Sequence, residues 1–377
     1  MVEQVFGRDR LTFGVEEEFL LADAGTRMAA ARSDEVVALA REEIGDQVAS
    51  EFYLSQLEAR SRPCGTADEL RDDLARCRRT AAGAAARAGC LLVASPCAIR
   101  TSRPLPIREH GRYLKVAEHL GAVLSAADCE ISGCHVHIGS LSRGEALTVS
   151  AGLRPWLPLL QALTANSPFA AEEETGWVSR RGYTYGRWPT VGPAPVLDEE
   201  GYDKHVQDLI DRGVILDRAM LYWYARPSEH FPTLEIRVAD VNGDLDTTVL
   251  LAVLLRALAT DLLARDGAAE IAERIDDRRL AENHLLACRH GLAARLFDPA
   301  TDTEVPVPAL LDALMLRAGP ALEALGDLPF AAATLRRLLR EGNGADRQRA
   351  VYASTRSWTG LVDHLAAETT DVPADGS

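Results

Sequence analysis

The sequence has no apolar run long enough to span a membrane without interruption. Its most apolar stretch, TTVLLAVLLRALATDLLA, is broken by Arg256 and Asp261, which a buried helix can pair and a bilayer cannot. Charges recur through the opening MVEQVFGRDR, so the basic start and apolar centre of a secretory signal are missing as well. A cytoplasmic chain without a membrane partner is expected. Basic charge is also in deficit: 41 Lys and Arg stand against 56 Asp and Glu, a net charge of -15, which argues against a nucleic-acid partner. The seven cysteines, Cys64, Cys77, Cys90, Cys97, Cys129, Cys134 and Cys288, form no CxxC pair and are odd in number. Reduced, buried thiols are therefore expected rather than a disulfide frame or zinc knuckle, with Cys134 set apart because it adjoins a histidine pair. No GxxxxGK[ST] element, internal repeat or low-complexity block occurs, which excludes a P-loop enzyme and a solenoid. What is present, 47% hydrophobic and 26% charged residues in 377, is the composition of a globular enzyme with a substantial core.

LTFGVEEEFLL alternates as a strand should, and EFYLSQLEARS reads the same way. TADELRDDLARCRRTAAGAAARAG reads as a helix: Thr66 and Glu69 have capping-box spacing, Leu70, Leu74 and Cys77 share a face, and Gly89 suits the stop. LLVAS and CHVHIG follow as strands. A helical pattern runs from Glu145 to about Ala165, bent by Pro155 and Pro158, and a long structured loop covers Pro168 to Gly201. A short helix from Lys204 to Arg212, strands in MLYWYARPS and TLEIRVADV, and helices from Thr247 onward complete the reading. Strands and helices mix without a regular beta-alpha-beta rhythm, which favours an α+β fold around a mainly antiparallel sheet. One catalytic domain is expected over residues 1–368, with a polar tail at 369–377.

Four of these strands carry chemistry on one face. In the first, Leu11, Phe13, Val15, Phe19 and Leu21 share one parity and Glu16 and Glu18 the other; Glu17 falls on the apolar side, where a strand end or bulge would have to turn it outward. Gln56, Glu58 and Arg60 oppose Ser55, Leu57 and Ala59. His135 and His137 oppose Cys134, Val136 and Ile138, and Glu235 and Arg237 oppose Leu234, Ile236 and Val238. Taken singly, a solvated edge strand, a core histidine or a cross-strand ion pair accounts for each pattern at least as well as a site does. Taken together, four strands backed by carboxylate, imidazole and guanidinium groups point to one polar site. Its hard oxygen ligands suit Mg2+ or Mn2+ rather than Zn2+, and such a cage with an arginine suits nucleotide phosphates.

The motifs TFGVEEEFLL, SQLEARSRPC, SGCHVHIG, NSPF with SRRGYTYGRWPTVGPAP, ARPSEHFPTLEIRVAD, NHLLACRHGL and GNGADRQR, in this order and over nearly the whole chain, resemble glutamate-cysteine ligase type 2. That family is a branch of the glutamate-cysteine ligase and glutamine synthetase superfamily. The resemblance implies a curved antiparallel sheet forming a funnel, covered by helices, with ATP and Mg2+ at one end and an amino-acid carboxylate beyond them. It implies metal ligands at Glu16, Glu18, Glu58, His135 and Glu235, an ATP-phosphate contact and catalytic role at Arg237, and a catalytic role at Glu235. Arg180 or Arg181, Arg226 and the neighbouring His137 are implied on the substrate side.

The implied reaction forms an amide through an acyl phosphate, with amino-acid and amine substrates. L-glutamate is the expected acid, and glutamate-cysteine ligase activity is expected to be weak or specialised. The resemblance is compatible with a homodimer. Phosphoryl transfer to a guanidino compound or amine, and a non-catalytic regulator that binds Mg-ATP or an amino acid, are the other readings. Glu17, Arg60 and Cys134 depart from the family pattern and leave the amine acceptor open.

Overall fold

A strand that alternates apolar and polar residues needs one dry face and one wet face, and the long first strand receives both. The computed structural model describes residues 11–102, 106–109, 111–121, 130–265 and 275–372. Cys129, the opening ten residues and positions 373–377 of the expected tail lie outside them. The strands, in chain order, are β1 (Phe13–Asp23), β2 (Val48–Ser50), β3 (Gln56–Arg60), β4 (Cys90–Val93), β5 (Gly133–Gly139), a hairpin of β6 (Phe169–Ala170) and β7 (Glu173–Glu174), then β8 (Ala225–Pro227) and β9 (Thr233–Asp240). A second hairpin, β10 (Arg295–Asp298) and β11 (Thr303–Pro306), follows. The main sheet is open and, among the described residues, its strand pairs are all antiparallel, in the order β2-β3-β1-β5-β9-β8, with β4 pairing the far end of β1.

The described residues also form thirteen helices, several of which cover the apolar face of this sheet. They are α1 (Ser33–Ile44), α2 (Ala67–Arg87), α3 (Gly111–His119), α4 (Arg143–Leu153), α5 (Leu157–Leu163), α6 (Arg180–Tyr185), α7 (Glu199–Asp211), α8 (Leu245–Leu263), α9 (Asp277–His290), α10 (Val307–Leu325), α11 (Leu328–Glu341), α12 (Gly344–Thr355) and α13 (Trp358–Thr370). The capping box of Thr66 and Glu69 starts α2, and Gly89 at φ +71° takes the left-handed turn after it. The chain breaks between α4 and α5 at Pro155. Pro158 then sits in the first turn of α5, where a missing N–H costs nothing. Phe13 and Val15 of β1, Val136 and Ile138 of β5, and Leu234, Ile236 and Val238 of β9 pack with the nearly all-buried α8 in one core; Phe19, Leu21, Leu57 and Ala59 pack with α1 and α2 in another.

α8 holds the segment interrupted by Arg256 and Asp261. The Arg256 side chain is fully buried, pairs with Asp327 at 2.5 Å and lies 3.9 Å from the centre of the Phe13 ring. Among the described residues, no helix is long and apolar enough to cross a membrane. The cysteines there, Cys64, Cys77, Cys90, Cys97, Cys134 and Cys288, are buried and free, and Cys134 faces the core rather than the histidines.

Several local expectations are corrected. EFYLSQLEARS is not one strand: the chain leaves β2 at Ser50, turns through residues 51–55 and re-enters the sheet at Gln56. MLYWYARPS is a strand only over Ala225–Pro227, because Tyr222 N–H donates to Thr190 Oγ1 and Tyr224 N–H to the Gly192 carbonyl, away from the ladder. The helical C-terminal half contains the β10–β11 hairpin, whose turn is held by Asp298 accepting from Ala300 N–H and the Thr301 hydroxyl. α13 extends to Thr370, with Thr369 buried and its hydroxyl accepting from Ala94 N–H, so the helix includes the first two residues assigned to the tail.

Glu17 needs no bulge to turn outward. It stays on the core side, 1% exposed, where Arg78 of α2 donates to both its oxygens at 2.9 and 2.5 Å and the Thr248 hydroxyl of α8 adds a third contact at 3.1 Å. Arg78 also donates to the Gly243 and Asn242 carbonyls. Breaking one side of such a buried pair strands a charge and costs about 3–5 kcal/mol, whereas replacing both partners with apolar groups is far milder. Arg78→Met is therefore expected to lose about 3–5 kcal/mol in urea denaturation, and Glu17→Leu with Arg78→Met to recover most of it. A single variant as stable as the wild type contradicts the assignment.

Candidate metal and nucleotide site

The open face of the sheet collects the polar residues of four strands because their registers bring them side by side. Glu16 pairs across the ladder with Arg60 on one side and His135 on the other; Glu18 pairs with Glu58, and His137 with Glu235. Glu235 in turn pairs with Arg226 of β8. Five of the residues form two groups that share one imidazole: Glu16, His135 and Glu235, and Glu18, Glu58 and His135, each with ligand atoms within 4.8 Å of one another. His135 Nδ1 lies 3.5 Å from Glu16 Oε2 and 4.0 Å from Glu235 Oε1, while its Nε2 lies 3.7 Å from Glu18 Oε1. A neutral imidazole has one lone pair, so His135 can ligate a cation in one group only, its N–H then facing a carboxylate of the other.

Electrostatics divides the carboxylates into two sets. Burial opposes the charge on Glu16, but the neighbouring imidazoles of His135 and His137 outweigh it and hold the carboxyl well below its ordinary range. Burial likewise opposes the charge on Glu235, and Arg237 and Arg226 bring it down to about 2. On the β2–β3 side the balance is reversed. Burial, then Glu16 and Glu51, raise Glu58 well above the ordinary carboxylate range, and burial followed by Glu18 raises Glu51 to about 8. Burial and Arg237 lower His135, whereas for His137 the contact with Glu16 overcomes burial and raises it.

The residues present fit a divalent cation. His135 Nδ1 and His137 Nε2 are buried without a hydrogen-bond partner, and the oxygens around them belong to hard carboxylate ligands. His137 Nε2 lies 3.5 Å from Glu16 Oε1, and its Nδ1 is 3.0 Å from the Thr233 hydroxyl. Beside Glu16 and His137 opens a cavity of about 460 Å3, lined also by Gly14, Arg60, Arg62 and Phe231. Its size is within the usual range for small-molecule sites.

The candidate arginines separate. Arg237 pairs with Glu235 and donates through Nε to the Tyr185 hydroxyl at 3.0 Å. Arg226 donates to Glu235 Oε2 at 2.8 Å and to the Arg218 and Ala219 carbonyls, so it clamps Glu235. Arg181 is buried over the Tyr185 ring, donates to the Arg237 carbonyl at 3.0 Å, and keeps Nε and Nη1 without partners. A side chain at Gly133 would collide with Arg181 Nη2, while Gly133 N–H donates to Glu18 Oε2 at 2.5 Å; this glycine thus lets a guanidinium and a carboxylate meet over one residue. Arg180 instead lies against Tyr183, which stacks on Trp177.

Two site residues escaped the sequence reading. Glu51 was hidden because EFYLSQLEARS, taken as one strand, puts it on the parity of Leu57; the turn before β3 resets that alternation. Tyr185 stood within RRGYTYGRW, but nothing in its spacing singles out a partner for Arg237.

Between the ordinary value of 4.5 and about 8, folded Glu51 keeps a proton that the unfolded chain has released. The folded state then binds more protons, so its stability falls as pH rises through that window. Cation-free protein is expected to lose stability from about pH 5 to 8, less steeply in Glu51→Gln. Denaturation across this range checks it; identical slopes in variant and wild type would remove Glu51 from the cluster.

The profile described as Glutamate-cysteine ligase family 2 (GCS2) matches residues 12–368. A Salinispora tropica protein named "Putative glutamate--cysteine ligase 2" is 41% identical over 370 residues, covering 97% of both chains. A Saccharopolyspora erythraea protein named "Putative glutamate--cysteine ligase 2-1" is 40% identical over 363 residues, covering 95% of both. The crystal structure of glutamate-cysteine ligase from Francisella tularensis in complex with AMP shares the fold at a TM-score of 0.73 and 13% identity, over 97% of this chain and 91% of that one. With nearly its full length matched in sequence and in fold, the chain belongs to glutamate-cysteine ligase family 2.

Proposed function

We propose that this ATP-dependent carboxylate-amine ligase activates an amino-acid carboxylate, L-glutamate foremost, as an acyl phosphate and transfers the acyl group to an amine, with cysteine one candidate acceptor. The observation that carries the reading is the pair of groups sharing His135, Glu16 with Glu235 and Glu18 with Glu58, beside a cavity of about 460 Å3. Family membership supports it, as does a fold neighbour solved with AMP.

Glu16, Glu18, Glu58, His135 and Glu235 would hold Mg2+, or Mn2+ in its place, with Glu51 at the edge of the second group. Bound there, the ions would supply charge neutralisation to the phosphates. Arg237, anchored by Tyr185 and Glu235, is the cation for the transferred phosphoryl group. Arg181, with two unpartnered nitrogens beside Glu18, suits a substrate carboxylate by the forked geometry of a guanidinium.

In the first step a carboxylate oxygen attacks the γ-phosphorus and ADP leaves. In the second the neutral amine attacks the acyl carbon, phosphate leaves, and the nitrogen gives up a proton. Phosphorylation is needed because a carboxylate is a poor electrophile and its oxygen a poor leaving group.

The expected outcome is Mg2+-dependent ADP release only when a suitable acid and amine are supplied together, with the amide detected by mass spectrometry. Glu16→Gln and Glu235→Gln should each lower that turnover by about 100-fold or more while leaving the folded signal intact. A stable phosphorylated amine or guanidino product would replace this reading with a kinase. ADP-free binding of Mg-ATP across a broad panel would replace it with a regulator.

A further inference from the structure

Arg60 is the last residue of β3 and the cross-strand partner of Glu16, so it emerges on the site face. Its Nε stands 3.4 Å from Glu58 Oε1, its Nη2 donates to the Asp46 carbonyl at 2.8 Å, and the side chain is 35% exposed toward the cavity it lines. Three neighbouring guanidiniums are more tightly engaged. Arg62, the second arginine of the cavity wall, makes a two-pronged contact with Asp73 at 3.1 and 2.7 Å. Arg226 is divided between Glu235 and two carbonyls, and Arg237 between Glu235 and Tyr185. Arg60 has only the longer, one-pronged contact to a carboxylate.

That contact is a weak anchor, because a single guanidinium nitrogen meets a single carboxylate oxygen at 3.4 Å. A polyphosphate in the cavity would offer the guanidinium a stronger partner, since phosphate oxygens match its planar fork. The strand order adds the geometry: β3 and β9 flank β1 and β5, so Arg60 and Arg237 stand on opposite sides of Glu16 and His135. Charge entering between them is met from both sides.

We propose that Arg60 is a second nucleotide-phosphate contact, which exchanges Glu58 for the phosphate chain when nucleotide enters and thereby frees the Glu58 carboxylate for a cation. The inference rests on the nucleotide reading of the cavity given above. It makes Arg60 a direct ligand of the phosphates that ties cation binding at Glu58 to the presence of nucleotide, and it gives a role to a positive charge set beside Glu58.

Isothermal titration of the full chain with ADP in Mg2+, and separately with adenosine, reads this without turnover. Arg60→Ala is expected to weaken ADP binding about tenfold or more, the size of one charge-assisted hydrogen bond. Adenosine affinity should stay as in the wild type, and Arg60→Lys should recover part of the ADP loss. Unchanged ADP affinity in Arg60→Ala overturns the proposal while leaving the nucleotide site standing. Equal losses of ADP and adenosine overturn it too, because they report a reshaped cavity; Arg60→Gln, which keeps more of the side-chain bulk, then shows the same pattern. A wild-type chain that binds neither ligand overturns the nucleotide reading and this inference together.

Discussion

The buried ion pair between Glu17 and Arg78 fixes which way β1 faces, and the rest of the site is aligned to that strand. β1 pairs with β3 along one edge and with β5 and β4 along the other, so its orientation sets three registers at once. A slip of one residue would turn Glu16 and Glu18 into the core and Phe19 and Val15 out of it. An apolar residue at position 17 would resist that slip by burial alone. Glu17 resists it by position as well, because its two oxygens fit one guanidinium on α2 and one hydroxyl on α8.

On the other face the chain gathers more negative charge than its own cations balance, and it handles the excess differently on the two sides. Toward β9, arginine and imidazole keep Glu16 and Glu235 ionised. Toward β2, where burial and neighbouring carboxylates outweigh the nearby arginines, Glu51 and Glu58 are driven toward their protonated forms. A cation on the first side would find ionised carboxylates ready, while one on the second would have to displace protons. The cluster is thus graded across the sheet.

Much of this arrangement was legible in the sequence because a sheet buried on one face writes its geometry as a two-residue alternation. Glu16 with Glu18, His135 with His137, and Glu235 with Arg237 could each be placed on the polar face of their own strand from parity, and the helix at Ala67–Arg87 from its capping box. What stayed hidden depended on partners that parity does not record. Glu17 looked misplaced because Arg78, 61 residues away, has no local signature beside it. Glu51 was lost because a turn breaks the count before β3, and Tyr222 and Tyr224 because their backbone donors are taken by the loop at Thr190 and Gly192. Arg180 and Arg181, adjacent in sequence, part company only once α6 points them at different rings.

The order of the strands in the sheet also bears on how the protein comes into being. Glu16 lies near the start of the chain, its neighbours His135 and Glu235 far along it, and β9 is joined to β1 only through β5, which lies between them. Contacts so distant in sequence form late and slowly, since the loop-closure entropy must be met first. A nascent or half-folded chain therefore carries isolated acidic strands, and the cluster of carboxylates around His135 arrives only with the finished fold.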